Sequence, residues 1–329
     1  MNIGVIGAGT WGMALSRMLY NTGNAVTVWS ALSEEIDQLA RDRRQKNLPE
    51  MVIPEGVAFT KSIREACTGR DLLLFAVPSV FVRSTARQAA PHVPDGRIIV
   101  DVAKGLEPGT LKTMTEVIAD EIPGARVVAL SGPTHAEEVA QDLPTTIVSA
   151  SADAEAAKLV QRVFMNTCMR VYTNADVKGV ELCGALKNII ALAAGISAGI
   201  GYGDNAKAAL ITRGLAEIER LGDRMGCQRA TFAGLAGMGD LIVTATSRHS
   251  RNNRCGYLIG QGVPPREAIA QVGMVVEGVN AIPAAMTLKA NYGVEMPIVD
   301  AVDAVVNHGA SPRDVVNILM TRDPKTELR

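Results

Sequence analysis

This 329-residue chain carries almost no net charge, because 33 lysines and arginines face 34 aspartates and glutamates. Such a balance gives no global reason to expect nucleic acid or an anionic membrane as partner, although it leaves room for a local basic cluster. Cysteine is sparse too. Cys67, Cys168, Cys183, Cys227 and Cys255 are far apart, odd in number and without a C-x-x-C. They read as reduced thiols of a cytosolic protein. The four histidines are scattered, so no zinc or other metal site is expected. The opening "MNIGVIGAG" lacks the basic n-region of a signal peptide. The longest uncharged apolar stretch, roughly "NIIALAAGISAGIGYG", falls short of the ~18–20 residues of a membrane span and reads as a buried core helix. What remains is 47% hydrophobic and 20% charged, a composition suited to a well-buried globular protein of one large or two ordinary domains.

The first half alternates between two periodicities. "NIGVI" is a β-run, "TWGMALSRMLYNTG" a helix, "AVTVWS" a second strand and "SEEIDQLARDRR" a second helix with Ser33 as its N-cap. "DLLLFAV" is a continuous apolar run, as a strand buried on both faces should be. "RIIVDVA", "ARVVAL" and "TTIVSAS" repeat the theme. The pattern predicts a mostly parallel sheet with helical crossovers, an α/β Rossmann-type domain. From about Val177 helical patterns dominate, over 177–200, 205–226, 229–236, 264–272, 278–291, 297–307 and 311–320. The expected organisation is therefore a dinucleotide-binding domain over 1–180 and an all-α domain over 181–329. The tail "TRDPKTELR" is polar and expected to fray.

Gly7-Ala8-Gly9-Thr10-Trp11-Gly12 spells G-x-G-x-x-G between the first strand and the first helix, the context that gives this otherwise weak pattern its meaning. Gly7 suits the tight turn, Gly9 the approach of a pyrophosphate, and Gly12 the packing of helix on strand. An NAD-specific site commonly has Asp or Glu at the end of the second strand. Here the strand ends in Val28-Trp29-Ser30, and Glu34 and Glu35 come later, inside the next helix. Arg41, Arg43 and Arg44 are near in sequence and read as a solvated helix end. The cofactor reads as NADP or NAD, with NADPH favoured because no carboxylate repels an extra phosphate.

Lys187 stands in "GALKNIIALAAG", an otherwise small or apolar helical run apart from Asn188. A lone buried ammonium is costly, and burial lowers its pKa. Either this lysine reaches a surface, its stem lying along apolar neighbours, or its burial has a use.

"VDVAKGLE", "SGPTHAEEVA", "GALKNIIALAAG", "DNAKAALITRGLAEI", "LAGMGDLIVTATSRHSRN" and "VVEGV", in this order and spacing, resemble the NAD(P)-dependent glycerol-3-phosphate dehydrogenases of the bacterial type. The resemblance runs from Gly4 to about Asp314. It implies a Rossmann domain followed by a helical domain with the site between them. It also implies reduction of dihydroxyacetone phosphate to sn-glycerol 3-phosphate by a nicotinamide cofactor, feeding phospholipid synthesis in the cytoplasm.

Carried over by motif, the implied catalytic residues are Lys187 and Asp240. The cofactor contacts fall on Thr10, Trp11, Lys104, Ala136, Arg251, Val275 and Glu277, beside Gly7, Gly9 and Gly12. The substrate contacts fall on Lys104, Gly132, Thr134, Lys187, Asp240, Ser250, Arg251 and Asn252. Two positions depart from the family's pattern. "WSALS" stands where an arginine or histidine often follows the second strand, and "SGPTHA" where "SGPSFA" is common. Plainer readings stand beside these: a solvated basic loop for Arg248, Arg251 and Arg254, a surface lysine for Lys104, a helix N-cap for Asp240. Two rivals are a β-hydroxyacid or ketopantoate type of reductase and a non-catalytic nicotinamide sensor. A small phosphorylated substrate and a homodimer are the expected partners.

Overall fold

The computed structural model describes residues 1–324 and 326–327, so the expected fraying of the tail falls partly outside the described residues. The chain divides into two compact units. The first holds Met1–Gly184 with Ala230–Asp240, and the second Ala185–Arg229 with Leu241–Arg329.

The first unit is built on strands β1 (Asn2–Ile6), β2 (Ala25–Trp29), β3 (Arg44–Gln45), β4 (Leu48–Val52), β5 (Ala58–Thr60), β6 (Leu72–Phe75), β7 (Ile98–Asp101), β8 (Arg126–Ser131), β9 (Thr145–Ala150) and β10 (Met169–Asn174). Eight of them form one sheet in the order β10-β9-β8-β7-β6-β1-β2-β5, and β3 and β4 make a small separate hairpin. All pairings in the large sheet are parallel except that of β8 with β9. Strand β6 shows why its sequence is uninterrupted Leu-Leu-Leu-Phe. Leu72 and Leu74 enter one core with Ile3, Val5, Leu15 and Val100, while Leu73 and Phe75 enter another with Ile6, Val82, Ile99 and Ile118. A strand covered on both faces needs no polar alternation.

Strands β1, β2, β6, β7 and β8 run the same way, so their carboxyl ends share one edge of the sheet. Such an edge is where open α/β sheets bind ligands. Two local expectations need correction. Helix Ser33–Asp42 begins at Ser33 itself, with Leu32 in the cap position. The segment read as one helix over 229–236 is a short helix Arg229–Phe232 followed by a wide turn over Leu235–Gly239, in which the Gly239 amide reaches back to the Gly234 carbonyl at 3.1 Å.

In the second unit every element is helical among the described residues. Its centre is the long helix Val177–Ile200, whose first residues belong to the first unit. By length and composition this 24-residue helix is apolar enough to cross a membrane, longer than the sequence run suggested, and its apolar window is 89% buried. Helix Arg251–Gly260 packs on it through glycines of both partners. A Cβ at Gly195 or Gly199 would lie 2.1–2.2 Å from the carbonyl oxygens of Asn253 and Tyr257. One at Gly256 or Gly260 would meet those of Leu192 and Ile196 at the same distances.

Candidate active site

The turn after β1 separates the roles of its three glycines. Gly7 has a φ of +121°, and a Cβ there would lie 2.5 Å from the Ala76 carbonyl oxygen. A Cβ at Gly12 would lie 2.2 Å from the Gly7 carbonyl oxygen. Both glycines are demanded by the fold. Gly9 is different: its φ of −63° suits any residue, and a Cβ would meet nothing within 4 Å. Gly9 caps helix Thr10–Asn21 without a side-chain hydrogen bond, and no acidic residue occupies the helix's first turn. Open space above an uncapped helix N-terminus is where an anion is held by backbone amides, so the loop fits the pyrophosphate of a dinucleotide. Thr10 and Trp11 are half-buried beside it, and Thr10 Oγ1 accepts a hydrogen bond from Asn47 Nδ2 at 3.0 Å.

The end of β2 does not lack a carboxylate. Ser30 is buried, and its hydroxyl donates to Glu35 Oε2 at 2.6 Å while accepting from the Leu32 amide at 3.2 Å. Glu35 is inside the next helix, as its position predicts, but it lies in the first turn and its side chain reaches back.

After β7 and β8 a second cluster forms. Lys104 Nζ donates to Asp240 Oδ2 at 2.7 Å and to the Gly132 carbonyl at 3.0 Å. Asp240 is 1% exposed and opens helix Asp240–Thr246. Thr134 Oγ1 donates to the same Gly132 carbonyl at 3.2 Å, and Ala136 begins the short helix that follows. A Cβ at Gly132 would stand 3.1 Å from the Ile147 Cα, so the close turn needs a glycine. Gly184 faces this cluster: a Cβ there would be 3.1 Å from Ser131 Oγ and 3.6 Å from Lys104 Cγ. Among the described residues Ser131 Oγ has no hydrogen-bond partner, and the Asp101 carboxyl is buried. Burial first, and Glu181 second, push the Asp101 carboxyl well above the ordinary range. Burial likewise raises Glu181 to about 6, against hydrogen bonds from the Thr115 amide and hydroxyl.

In the second unit Lys187 is 4% exposed, so it does not reach solvent, and its ammonium donates to Thr244 Oγ1 at 2.5 Å. The next residue, Asn188, accepts from Asn252 Nδ2 at 2.9 Å, and Asn252 Oδ1 accepts from the Gly278 amide at 2.9 Å. Asn252 thus joins the lysine helix to the start of helix Glu277–Tyr292, beside half-buried Val275 and Glu277. Ser250 caps helix Arg251–Gly260 by accepting from the Asn253 amide, and Arg251 is exposed at its first position. The first unit therefore brings together Lys104, Gly132, Thr134 and Asp240, and the second joins Asn252 to the neighbour of Lys187. Among the described residues no group of three or more His, Cys, Asp or Glu is placed to hold a metal.

Two family models match most of the chain. Residues 2–157 match the family described as NAD-dependent glycerol-3-phosphate dehydrogenase N-terminus, and residues 176–317 match its C-terminus. The chain belongs to this family. A relative from Lactobacillus delbrueckii subsp. bulgaricus, glycerol-3-phosphate dehydrogenase [NAD(P)+] 2, is 67% identical across 99% of this chain and 98% of its own. The glycerol-3-phosphate dehydrogenase [NAD(P)+] of Agathobacter rectalis is 50% identical across 99% and 97%. The crystal structure of glycerol-3-phosphate dehydrogenase from Coxiella burnetii superposes with a TM-score of 0.94 at 35% identity, covering 98% of this chain and 99% of that one. The mostly parallel sheet followed by a helical unit is thus the family's fold. Sequence reasoning missed Thr244 and Glu35. Thr244 lies in the quoted "GDLIVTATSRHSRN" run, but no local pattern tells which hydroxyl of that run meets a lysine 57 residues earlier.

Proposed function

We propose that this chain catalyses reversible hydride transfer between a nicotinamide dinucleotide, NAD or NADP, and the pair dihydroxyacetone phosphate and sn-glycerol 3-phosphate. The names and near-complete coverage of its relatives support this reading. The observation that carries it is Lys187, a buried ammonium on an apolar helix, bound to a hydroxyl.

The dinucleotide, when bound, supplies or takes the hydride. Reduction of a ketone builds negative charge on its oxygen, and an acid beside that oxygen lowers the barrier. Lys187 is the proposed acid: its Nζ gives a proton to the nascent alkoxide and takes the hydroxyl proton in reverse. Thr244 holds that nitrogen. Asp240 is the second proposed catalytic residue, orienting the reacting hydroxyl, with Lys104 balancing its charge. Lys104, Gly132, Thr134, Ser250, Arg251 and Asn252 are the proposed substrate contacts, and Arg251 suits the phosphate because a guanidinium can grip it with two hydrogen bonds. Gly9, Thr10, Trp11, Lys104, Ala136, Arg251, Val275 and Glu277 are the proposed dinucleotide contacts, with Gly7 and Gly12 shaping the loop. Residues 1–180 are assigned to the dinucleotide and 181–329 to the substrate.

A cytoplasmic homodimer supplying phospholipid synthesis completes the proposal. The dimer rests on Ile318 and Met320, which are 66% and 80% exposed on helix Pro312–Met320. The test is loss of the reduced-nicotinamide absorbance when dihydroxyacetone phosphate is added to the full chain. Consumption of NADH or NADPH is expected; binding of either without turnover would make the chain a sensor instead.

A further inference from the structure

The cleft beside the end of β2 has no place in the proposed chemistry. It has a volume of about 590 Å³ and is lined by residues 31–35, 38, 39 and 44–46. It adjoins the glycine loop by two connections. The Gly7 amide donates to the Trp29 carbonyl at 2.8 Å, one residue before Ser30. Asn47, next to the lining residue Lys46, donates to Thr10 at the start of the loop's helix. A dinucleotide whose pyrophosphate lies on that helix extends its adenosine ribose towards the end of the second strand.

The charges in this cleft decide what the ribose can carry. Glu34 and Glu35 are among its lining residues. Ser30 is buried at the end of β2, and its hydroxyl proton already goes to Glu35. Arg44 also lines the cleft, and it and the nearby Arg41 and Arg43 are engaged. Arg41 pairs with Asp42 at 2.7 Å. Arg43 donates to the Val57 carbonyl at 2.7 Å and lies over the Phe59 ring at 5.1 Å. Arg44 Nη1 donates to the Pro49 carbonyl. Lys46 is exposed on the hairpin turn between β3 and β4. A grip on a dianionic 2′-phosphate needs cations pointed at it, whereas a ribose 2′-hydroxyl needs a carboxylate that accepts its proton.

We propose that Glu35, held by Ser30, is the ribose-binding carboxylate of this chain, and that it makes the cleft select NAD(H) over NADP(H). This assignment rests on the dinucleotide reading of the glycine loop, and it reverses the preference that the strand-end sequence alone suggests. A Glu five residues past Ser30 supplies, from the first turn of a helix, the charge that such sites commonly place on the strand itself. Ser30 fixes its rotamer, and the Leu32 amide fixes Ser30.

The experiment is calorimetric titration of the full chain with NAD⁺ and NADP⁺, which differ only in the 2′-phosphate, in the absence of substrate. Wild type should bind NAD⁺ more tightly. Glu35→Gln keeps the shape and removes the charge, so the ratio of the NADP⁺ to the NAD⁺ dissociation constant should fall at least about tenfold, the modest end of what a like-charge contact costs. Arg44→Ala should leave that ratio unchanged. A ratio that stays within twofold in Glu35→Gln, or NADP⁺ binding that collapses in Arg44→Ala, overturns the assignment. If wild type binds neither dinucleotide, it is the glycine-loop reading that fails, and the two failures are thereby distinct.

Discussion

Gly9 and Gly12 differ only in what a side chain would touch, and that difference yields a paired prediction. Gly9→Val places a side chain in open space, so the fold should survive while binding of the reduced cofactor is abolished. Gly12→Val drives a side chain into the Gly7 carbonyl and should cost about 1–3 kcal/mol or more of stability. Urea unfolding and cofactor titration of both variants separate the two roles. Glu217 gives a second prediction at this scale. It is 1% exposed and accepts from the Ile298 and Val299 amides at 2.8 and 3.3 Å, at the start of helix Pro297–His308. Burial outweighs those bonds and raises its carboxyl from 4.5 to about 7. The folded state therefore holds this proton more tightly than the unfolded state. Its contribution is intact below pH 4.5, is lost as pH rises to about 7, and is constant above. The loss is about 3 kcal/mol. Unfolding free energies at pH 4.5 and 7.5 should fall more steeply in wild type than in Glu217→Gln, by about that amount; equal slopes would contradict it.

Elements whose burial follows their own periodicity were readable in the sequence. The apolar runs of β1, β6, β7 and β8 and the G-x-G-x-x-G turn needed no distant partner to be recognised. Strand β10, "MRVYTN", alternates buried and exposed residues at the edge of the sheet, and its polar positions hid it. The antiparallel pairing of β9 with β8 was equally hidden, because β9 is buried almost throughout, like the parallel strands β6 and β7. Gly195 and Gly199 of the lysine helix are occupied by helix Arg251–Gly260 of the same chain, a pairing that neither segment announces alone. That helix makes its own prediction. Ser250 already satisfies one first-turn amide, so Arg251 is the charge its N-terminus offers to a phosphate. Arg251→Ala should raise KM for dihydroxyacetone phosphate roughly 10- to 150-fold, as loss of a charge-assisted hydrogen bond of about 1.5–3 kcal/mol implies. A KM within twofold of wild type would remove Arg251 from the substrate.

For the molecule as a whole, the order of chemistry-bearing segments was legible and their meeting was not. Lys104 and Asp240 are 136 residues apart and form an ion pair, because the Ala230–Asp240 segment returns to the first unit and packs Ala236 with Ala129, Val148 and Val180. No local pattern in "LAGMGDLIV" announces that return. Lys187 was legible for the opposite reason: an ammonium inside the apolar run 184–195 contradicts its surroundings unless it has a task. The most direct test of that task compares Lys187→Met with wild type in initial rate and in cofactor dissociation constant. The variant should lose about 10²–10⁴-fold in kcat, the usual worth of a general acid, while binding reduced cofactor as wild type does and unfolding no earlier in urea. A folded Met variant that turns over dihydroxyacetone phosphate at near wild-type rate would contradict the account, and Lys104 would then have to supply the proton.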